Sequence, residues 1–246
     1  MKKLKTEIVG FIKKYVAESG AKGAVIGMSG GKDSFVAAAL CCEALGNENV
    51  FGVIMPDGKM QDLKIAKEEC ELLKIKYKVI NIAKITKNIK KNTQKSLKIS
   101  LLSDITTLNI APRVRMTVLY SLAGTLGYLV VNTSNLSETM IGYTTKWGDN
   151  VGDFAPLASL TKTEVCELGI EMGLPQNLIL KKPADGLSGQ TDEEKIGFSY
   201  VELDNLIRDG KYAKNCEKIL KMQKNSIHKR TFPPKFDLKR KNYLQD

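Results

Sequence analysis

Short apolar runs alternate with longer stretches of helical periodicity along most of the chain. The runs have the length and the β-branched content of strands that are buried on both faces. They are Gly23–Ile26, Val50–Met55, Tyr77–Ile82 and Tyr128–Val131. The alternation predicts an α/β fold with a doubly wound, Rossmann-like parallel sheet of about five strands.

The stretches between these runs carry apolar residues at helical spacing. The predicted helices are Leu4–Val16, Phe35–Leu45, Asp62–Lys74, a lysine-rich helix ending near Ser96, Asn109–Leu126 and Thr161–Met172, with further helices up to about Ile227. The apolar residues in Leu97–Leu108 follow neither the helical nor the strand period. This segment is therefore either a loop or a surface that a partner covers. Residues Gly142–Leu160 are dense in Gly and Asp and are predicted to be a loop.

A glycine-rich turn between the first strand and the next helix carries the main chemical signal. Residues 27–34 read Gly-Met-Ser-Gly-Gly-Lys-Asp-Ser. Uncovered backbone N–H groups and the positive end of a helix dipole favour an anion at such a turn. A tight turn with no ligand is the simpler interpretation of two adjacent glycines. The Walker A pattern does not fit, because Asp33 rather than Ser or Thr follows Lys32.

Charge and composition limit the class of protein. The chain has 246 residues and a formal charge of +11, concentrated before residue 101 and after residue 210. Nucleic-acid binding is one interpretation, but only five of the 38 cations are Arg, and a solvated helix face explains the lysines more simply. No run approaches the roughly 18 apolar residues of a membrane span. The five cysteines have no metal-ligand spacing. We therefore expect a cytoplasmic protein with reduced thiols, bound to neither membrane nor nucleic acid.

The turn resembles a known phosphate-binding signature. Residues Ser29–Ser34 match the Ser-Gly-Gly-x-Asp-Ser pattern of the ATP pyrophosphatase (PP-loop) superfamily, whose fold is of the adenine-nucleotide alpha-hydrolase type. The resemblance implies cleavage of ATP between its α- and β-phosphates, with Mg²⁺ held by Asp33. The ATP contacts that it implies are Gly27, Met28, Ser29, Gly30, Gly31, Lys32, Asp33 and Ser34.

Further segments narrow the resemblance. Together they are similar, in order and spacing, to the ammonia-dependent NAD synthetases. They are Arg113–Met116, Asn132–Glu138, Gly142–Asp149, Gly152–Asp153, Leu160–Lys162, Gly189–Glu194 and His228–Arg230. The resemblance covers nearly the whole chain, which implies one domain over 1–246 with a C-terminal tail at about 228–246. It also implies a homodimer that amidates deamido-NAD through an acyl adenylate, with ammonia and ATP as the other substrates.

The resemblance also implies a role for individual residues. Four of them would be catalytic: Asp33, Glu138, Asp149 and Lys162. Glu138 would be the second magnesium ligand, and Asp149 would lie beside the nicotinate and the entering ammonia. Thr133, Lys162 and Ala184 would contact ATP, although Ala184 stands where the family usually carries Ser or Thr, so only its main chain can make that contact. The contacts to deamido-NAD would be Arg113, Lys146, Asp153, His228 and Lys229.

Two alternatives remain at this point. Another PP-loop ligase, including a tRNA-modifying one, would use the same turn and explain the basic charge, but the chain has no Cys-x-x-Cys pair. A nucleic-acid-binding protein with a degenerate loop would need its lysines on one face. Residues Asp57–Gln61 match the family's nucleotide loop poorly, so the contacts to the base and ribose of ATP stay unassigned.

Overall fold

The fold is built on one parallel sheet. The computed structural model describes residues 1–181, 191–210 and 214–236. In those ranges the strands are β1 (Ala24–Gly27), β2 (Val50–Ile54), β3 (Lys76–Val79) and β4 (Leu129–Val130). They are hydrogen-bonded in the spatial order β3-β2-β1-β4, and every pairing is parallel. β2 and β3 lie on one side of β1, and β4 lies on the other side, so the direction of winding reverses between β1 and β4. This reversal confirms the doubly wound arrangement. In such sheets the ligand-binding crevice lies at the carboxyl ends of the two strands where the winding reverses.

The number of strands differs from the prediction. The described residues form a sheet of four strands rather than about five. An isolated parallel bridge between Val131 and Phe154 extends the pairing by one residue next to β4. A single bridge does not make a strand, because the backbone of the 142–160 loop turns away on both sides of it.

Helices follow or precede the strands in the predicted order. Those in the described residues are α1 (Lys2–Ser19), α2 (Lys32–Leu45), α3 (Leu63–Leu72), α4 (Ala83–Leu97), α5 (Asp104–Leu126), α6 (Leu136–Ile141), α7 (Lys162–Glu171), α8 (Gln176–Ile179), α9 (Asp192–Ile196), α10 (Tyr200–Asp209) and α11 (Cys216–Asn225), with short 3₁₀ helices at Asn47–Asn49 and Ile227–Lys229. α5 begins five residues before the predicted start. The Ser103 hydroxyl caps it by accepting the N–H of Thr106.

The two faces of the sheet carry separate hydrophobic clusters. Ala24, Ile26 and Ile54 belong to the cluster formed with α1, α2 and α7. Val25 and Val53, which alternate with them, belong to the cluster formed with α5 and with Ile82, which precedes α4. This alternation follows from the two-residue period of a strand, and it buries both faces, as a parallel sheet requires.

A third cluster joins the short helices that follow the sheet. It contains Ile141 from α6, Ile196 from α9, Leu203 from α10 and Ile219 from α11. These helices are too short to be stable alone, so their packing against one another fixes them. α6 and α10 both carry side chains of the site described next. None of the described helices is long and apolar enough to cross a membrane.

Candidate active site

The glycine-rich turn forms the floor of the site. It joins β1 to α2, which begins at Lys32. The Ser34 hydroxyl accepts the N–H of Ser29 at 3.3 Å, donates to the carbonyl of Gly31 at 2.8 Å and lies 3.1 Å from the Ser29 hydroxyl. Gly30 has a φ of +74°, and a Cβ there would lie 2.8 Å from the Asp62 backbone oxygen. The turn therefore needs glycine, and it presents hydroxyls beside a helix N-terminus, where an anion is favoured.

A buried cluster of three charged side chains lies beside this turn. The Lys162 ammonium at the start of α7 lies 2.6 Å from Asp33 Oδ2 and 2.8 Å from Glu138 Oε1. The lysine side chain is 6 % exposed, and the carboxylates are 18 % and 16 % exposed. Lys162 also lies 5.1 Å from the centre of the Tyr200 ring. Three of the four residues predicted to be catalytic therefore meet in one place, although they are far apart in sequence.

Asn135 orients both carboxylates of the cluster. Its amide donates to Asp33 Oδ1 at 2.8 Å, and its side-chain oxygen accepts the N–H of Glu138 at 3.0 Å. The Glu138 carboxylate in turn accepts the N–H of Asn135, so the two residues form the capping box of α6. The sequence analysis quoted Asn135 within a motif and gave it no role. Its position before a helix, three residues ahead of a Glu, is the signal that could have identified it.

The pKa values in the cluster reflect its burial. Burial raises the pKa of Glu138 to about 7, although the Lys162 ammonium opposes the rise. Burial also acts to lower the pKa of Lys162, but Asp33 and Glu138 outweigh it and hold that pKa well above its usual value. With all three groups ionised, the cluster carries one net negative charge. A further cation would therefore be stabilised there.

The donor set of the cluster fits magnesium. No group of three or more His, Cys, Asp and Glu side chains within the described ranges is arranged to hold a metal ion. Magnesium does not need one, because it is usually held by one or two carboxylates together with phosphates and water. Asp33 and Glu138, which both pair with the Lys162 ammonium, are two carboxylates that could serve in this way.

A cavity of about 530 Å³ opens above the turn and the cluster. Its wall includes the whole of residues 27–34, the end of β2, part of α5 and the segments that follow β4. Thr133 and Asp149, which the resemblance assigned to the site, both line it. The Asp149 carboxylate accepts the N–H of Thr145 at 2.6 Å. The cavity thus brings together the turn, the charged cluster and one end of the 142–160 loop.

Arg115 is a cavity residue that the sequence analysis missed. Its Nε donates to the carbonyl of Met55 at 3.0 Å, at the end of β2. Burial lowers the pKa of Arg115, against the attraction of Asp57 and Asp149. Arg113 is exposed instead, and its Nε donates to the carbonyl of Lys146 at 3.2 Å. Residues two positions apart lie about 200° apart around a helix, so only one of this pair can face the cavity.

The residues predicted to contact deamido-NAD do not line the cavity. They are Arg113, Lys146, Asp153, His228 and Lys229. The Asp153 carboxylate accepts the N–H of Val130 at 2.7 Å and the Tyr120 hydroxyl at 3.3 Å, so it ties the loop to β4 and α5. Ala184 lies outside the described residues.

The basic residues near the C-terminus bind the carboxyl end of α6. Lys229 donates to the carbonyls of Gly142 and Thr144, each at 2.7 Å. Arg230 donates to the carbonyls of Thr139 and Met140. Cations at a helix C-terminus are favoured by its dipole. His228 is exposed, and its Nδ1 lies 3.1 Å from the carbonyl of Asn225. In this structure the segment thus fixes the helix that carries Glu138.

A buried carboxyl of α3 lies behind the turn. Glu69 is 1 % exposed, and its Oε2 has no hydrogen-bond partner among the described residues. The ion pair of Lys181 with Asp62, at 2.5 Å, lies close to it. Burial raises the pKa of Glu69 to about 8, because the desolvation exceeds the attraction of Lys181 and the backbone hydrogen bond from Gly30. The sequence analysis predicted a helix here and gave Glu69 no role.

Comparisons with known proteins agree with this geometry. A family model described as NAD synthase matches residues 4–233. An NH₃-dependent NAD⁺ synthetase from Pyrococcus furiosus is 44 % identical over 96 % of this chain and 95 % of its own length. An NMN synthetase from Francisella tularensis superposes with a TM-score of 0.89 and 33 % identity, over 96 % of this chain and 98 % of that one. An NH₃-dependent NAD synthetase from Campylobacter jejuni superposes with a TM-score of 0.78 and 28 % identity. The superposition covers 96 % of this chain and 98 % of that one.

Glu69 should make the stability of the fold fall as pH rises. Because the pKa is raised in the folded state, the folded protein holds the proton more tightly than the unfolded chain. The contribution of the protonated Glu69 to the free energy of unfolding is fully present below about pH 4.5, and it is lost as the pH rises to about 8. We expect Glu69→Gln to be more stable than the wild type at pH 8, by on the order of a few kcal/mol, and to lose that advantage at pH 5. Urea unfolding at both pH values measures the difference, with Glu68→Gln, an exposed carboxylate of α3, as the control.

Proposed function

Since this chain belongs to the NAD synthase family, we propose that it is a ligase that uses ATP and ammonia to convert deamido-NAD into NAD. The observation that carries the proposal is the Asp33–Lys162–Glu138 cluster beside the glycine-rich turn, inside one cavity. In the first step the nicotinate carboxylate attacks the α-phosphate of ATP, which forms an acyl adenylate and releases pyrophosphate. In the second step ammonia attacks the acyl carbon, loses a proton and displaces AMP.

The turn and the cluster would serve the phosphates of ATP. The N–H groups and hydroxyls of Ser29, Gly30, Gly31 and Ser34 can donate to the β- and γ-phosphates as they leave. The Lys162 ammonium lines the same cavity as the turn, and a phosphate bound there would be a further acceptor for it. Thr133 is placed by the cavity wall to contribute another hydroxyl. These donors stabilise the charge that develops on pyrophosphate.

Magnesium belongs to this proposal. Asp33 and Glu138 would hold it, and when bound it would neutralise charge on the pyrophosphate. The Lys162 ammonium, which now compensates both carboxylates, would then be available to the phosphates. Asn135 connects the two carboxylates, because its side-chain amide donates to Asp33 and its main-chain N–H donates to the Glu138 carboxylate.

A homodimer would explain why the residues predicted to contact deamido-NAD lie outside the cavity of the single chain. The side chains of Leu101, Ile105 and Leu108 are 80 %, 69 % and 61 % exposed, on and before α5. Such an apolar surface on a helix is typical of a subunit interface. A partner packed there would extend the cavity from α5 towards Arg113 and Lys146. We therefore keep Arg113, Lys146, Asp153, His228 and Lys229 as proposed contacts to deamido-NAD, and Asp149 as the carboxylate beside the entering ammonia.

Identification of the products tests the proposed function. The protein is incubated with ATP, magnesium, ammonium and deamido-NAD, and the products are separated chromatographically. We expect NAD, AMP and pyrophosphate in equal amounts. Formation of ADP and phosphate would contradict a pyrophosphate-releasing mechanism.

Amidation of a mononucleotide is the second candidate. The NMN synthetase from Francisella tularensis superposes with a higher TM-score than the NAD synthetase from Campylobacter jejuni. Both reactions would use the same charged cluster, because the two substrates differ only in the part that is far from the nicotinate carboxylate. A competition between deamido-NAD and nicotinate mononucleotide, read as the ratio of their kcat/KM values, decides between them.

The two carboxylates of the cluster should be essential for adenylation. Asp33→Asn and Glu138→Gln each leave pyrophosphate charge uncompensated in a confined site, where one such contact is worth roughly 10²- to 10³-fold in rate. We expect losses of that size in pyrophosphate release, with a circular dichroism spectrum like that of the wild type. Glu43→Gln, on the same helix as Asp33 but paired with Lys5 at the surface, is the control. Near-normal release by Asp33→Asn at saturating magnesium would refute the role.

The two arginines of α5 should affect different substrates. Arg113→Ala should raise the KM for deamido-NAD and leave that for ATP nearly unchanged. Arg115→Ala should raise the KM for ATP and leave that for deamido-NAD nearly unchanged, because Arg115 lines the same cavity as residues 27–34, the turn proposed to bind ATP. Steady-state kinetics with each substrate varied in turn measures both constants. Equal effects of both variants on both substrates would mean that the residues only support the helix.

The exposed apolar surface at α5 predicts dimer formation. Ile105→Asp places a charge in the proposed interface and should convert the dimer into a monomer, which sedimentation velocity measures. Leu220→Asp is the matched control, since Leu220 is also exposed, at 51 %, but lies on α11. A wild-type protein that sediments as a monomer at micromolar concentration would contradict the dimer.

Ammonia rather than glutamine should be the nitrogen source of this chain. Glutamine hydrolysis needs a nucleophilic cysteine with a base beside it. Burial raises the pKa values of the Cys41, Cys42 and Cys70 thiols, so these are poor nucleophiles. We expect NAD formation with ammonium, increasing with pH as free ammonia increases, and essentially none with glutamine. A comparable rate with glutamine that is abolished by thiol alkylation would overturn this prediction.

A further inference from the structure

Helix α10 contributes a buried carboxylate next to the charged cluster. Asp204 is 5 % exposed, and its carboxylate accepts three hydrogen bonds. Oδ1 accepts the Ser137 hydroxyl. Oδ2 accepts the N–H of Thr163 at 2.8 Å and its hydroxyl at 2.7 Å. The three donors come from α6 and α7, so a single side chain connects these two helices.

The partners of Asp204 are the sequence neighbours of the cluster residues. Ser137 directly precedes Glu138, and Thr163 directly follows Lys162. The network is closed by the N–H of Lys162, which donates to the Ser137 hydroxyl at 2.9 Å. A shift of Asp204 would therefore move the backbones that carry Glu138 and Lys162 relative to each other.

The two helices depend on contacts from outside to hold this position. α6 has only six residues, and a helix of that length is not stable without tertiary contacts. At the start of α7, the N–H groups of Lys162 and Thr163 have no partners within the helix. Ser137 and Asp204 satisfy them, and the negative charge of Asp204 also suits the helix dipole.

We propose that Asp204 is a positioning residue for adenylation, which sets the spacing between Glu138 and Lys162 through Ser137 and Thr163. The proposal rests on the proposed function, because the spacing matters only if both groups serve the phosphates of ATP. Asp204 itself does not line the cavity. It acts only through its neighbours, so its loss changes geometry and removes no group from the substrate.

The same helix offers a matched control. Arg208, one turn after Asp204, binds α7 through Glu164, with Nε at 2.8 Å from Oε1, and it donates to the carbonyl of Ser159 at 2.7 Å. This second connection between α10 and α7 lies at the surface, and Arg208 does not line the cavity. Removal of Arg208 weakens the attachment of α10 and leaves the contacts of Ser137 and Thr163 intact.

Four variants test the proposal: Asp204→Ala, Asp204→Asn, Ser137→Ala and Arg208→Ala. We expect Asp204→Ala to lower kcat for pyrophosphate release by about 10²-fold, since a displacement of about 1 Å can have that effect. The KM for deamido-NAD should change little. Asp204→Asn should retain most of kcat, because its oxygen can accept from Thr163 while its amide donates to the Ser137 oxygen. Arg208→Ala should lower the unfolding midpoint but leave kcat close to that of the wild type.

Crystal structures of the same variants give a readout that needs no substrate. In Asp204→Ala the distance between Glu138 Oε1 and Lys162 Nζ should exceed the ion-pair limit of about 4 Å. If Asp204→Ala does not fold, Ser137→Ala should show the same increase. An unchanged distance, or an Asp204→Asn variant as inactive as Asp204→Ala, would overturn the proposal. If the wild type makes no NAD, the proposed function fails, and the distances still decide whether Asp204 sets the spacing.

Discussion

The ion-pair cluster at Lys162 is the interaction on which the site depends. One ammonium compensates two carboxylates that are mostly removed from water, and neither carboxylate has another cation within ion-pair distance among the described residues. Burial and the neighbouring Asp33 charge raise the pKa of Glu138 to about 7. The lysine opposes this rise and favours the ionised form of Glu138. Its own charge is held by the same two acids, so the three groups are mutually dependent.

The fold explains how Asp33 meets two residues that lie more than a hundred positions further along the chain. Asp33 is placed by the turn after β1, and Glu138 and Lys162 are placed by two helices that follow β4. Since β1 and β4 are neighbours in the sheet, their carboxyl ends deliver both segments to one crevice. The capping boxes of α6 and α7 then fix the first turns of both helices, where the functional side chains stand.

The sequence predicted the elements of this arrangement better than its side-chain geometry. The four strands present, the order of the main helices and the class of fold followed from apolar periodicity, although about five strands were expected. The family followed from the resemblance of several motifs to those of known proteins. The start of α5 was not predicted, because the apolar side chains of residues 97–108 are exposed and show no helical period. Arg115 was missed for a different reason, because which of two nearby arginines faces a cavity depends on the rotation of the helix against its neighbours. The capping position of Asn135 can be read from the sequence, but its contact with Asp33 joins residues 102 positions apart and is visible only in the fold.

The contacts of Lys229 and Arg230 with the end of α6 have a consequence for synthesis on the ribosome. The ion pair between Asp33 and Lys162 already spans 129 residues, and the helix that bears Glu138 is held at its carboxyl end by residues 229 and 230. A chain that emerges from its N-terminus can pair β1 with β2 and β3 early, but it cannot fix Glu138 until those two cations have left the exit tunnel. The pairing of β1 with β2 and β3 can thus precede the synthesis of residues 229 and 230, whereas the position of Glu138 is fixed only after them.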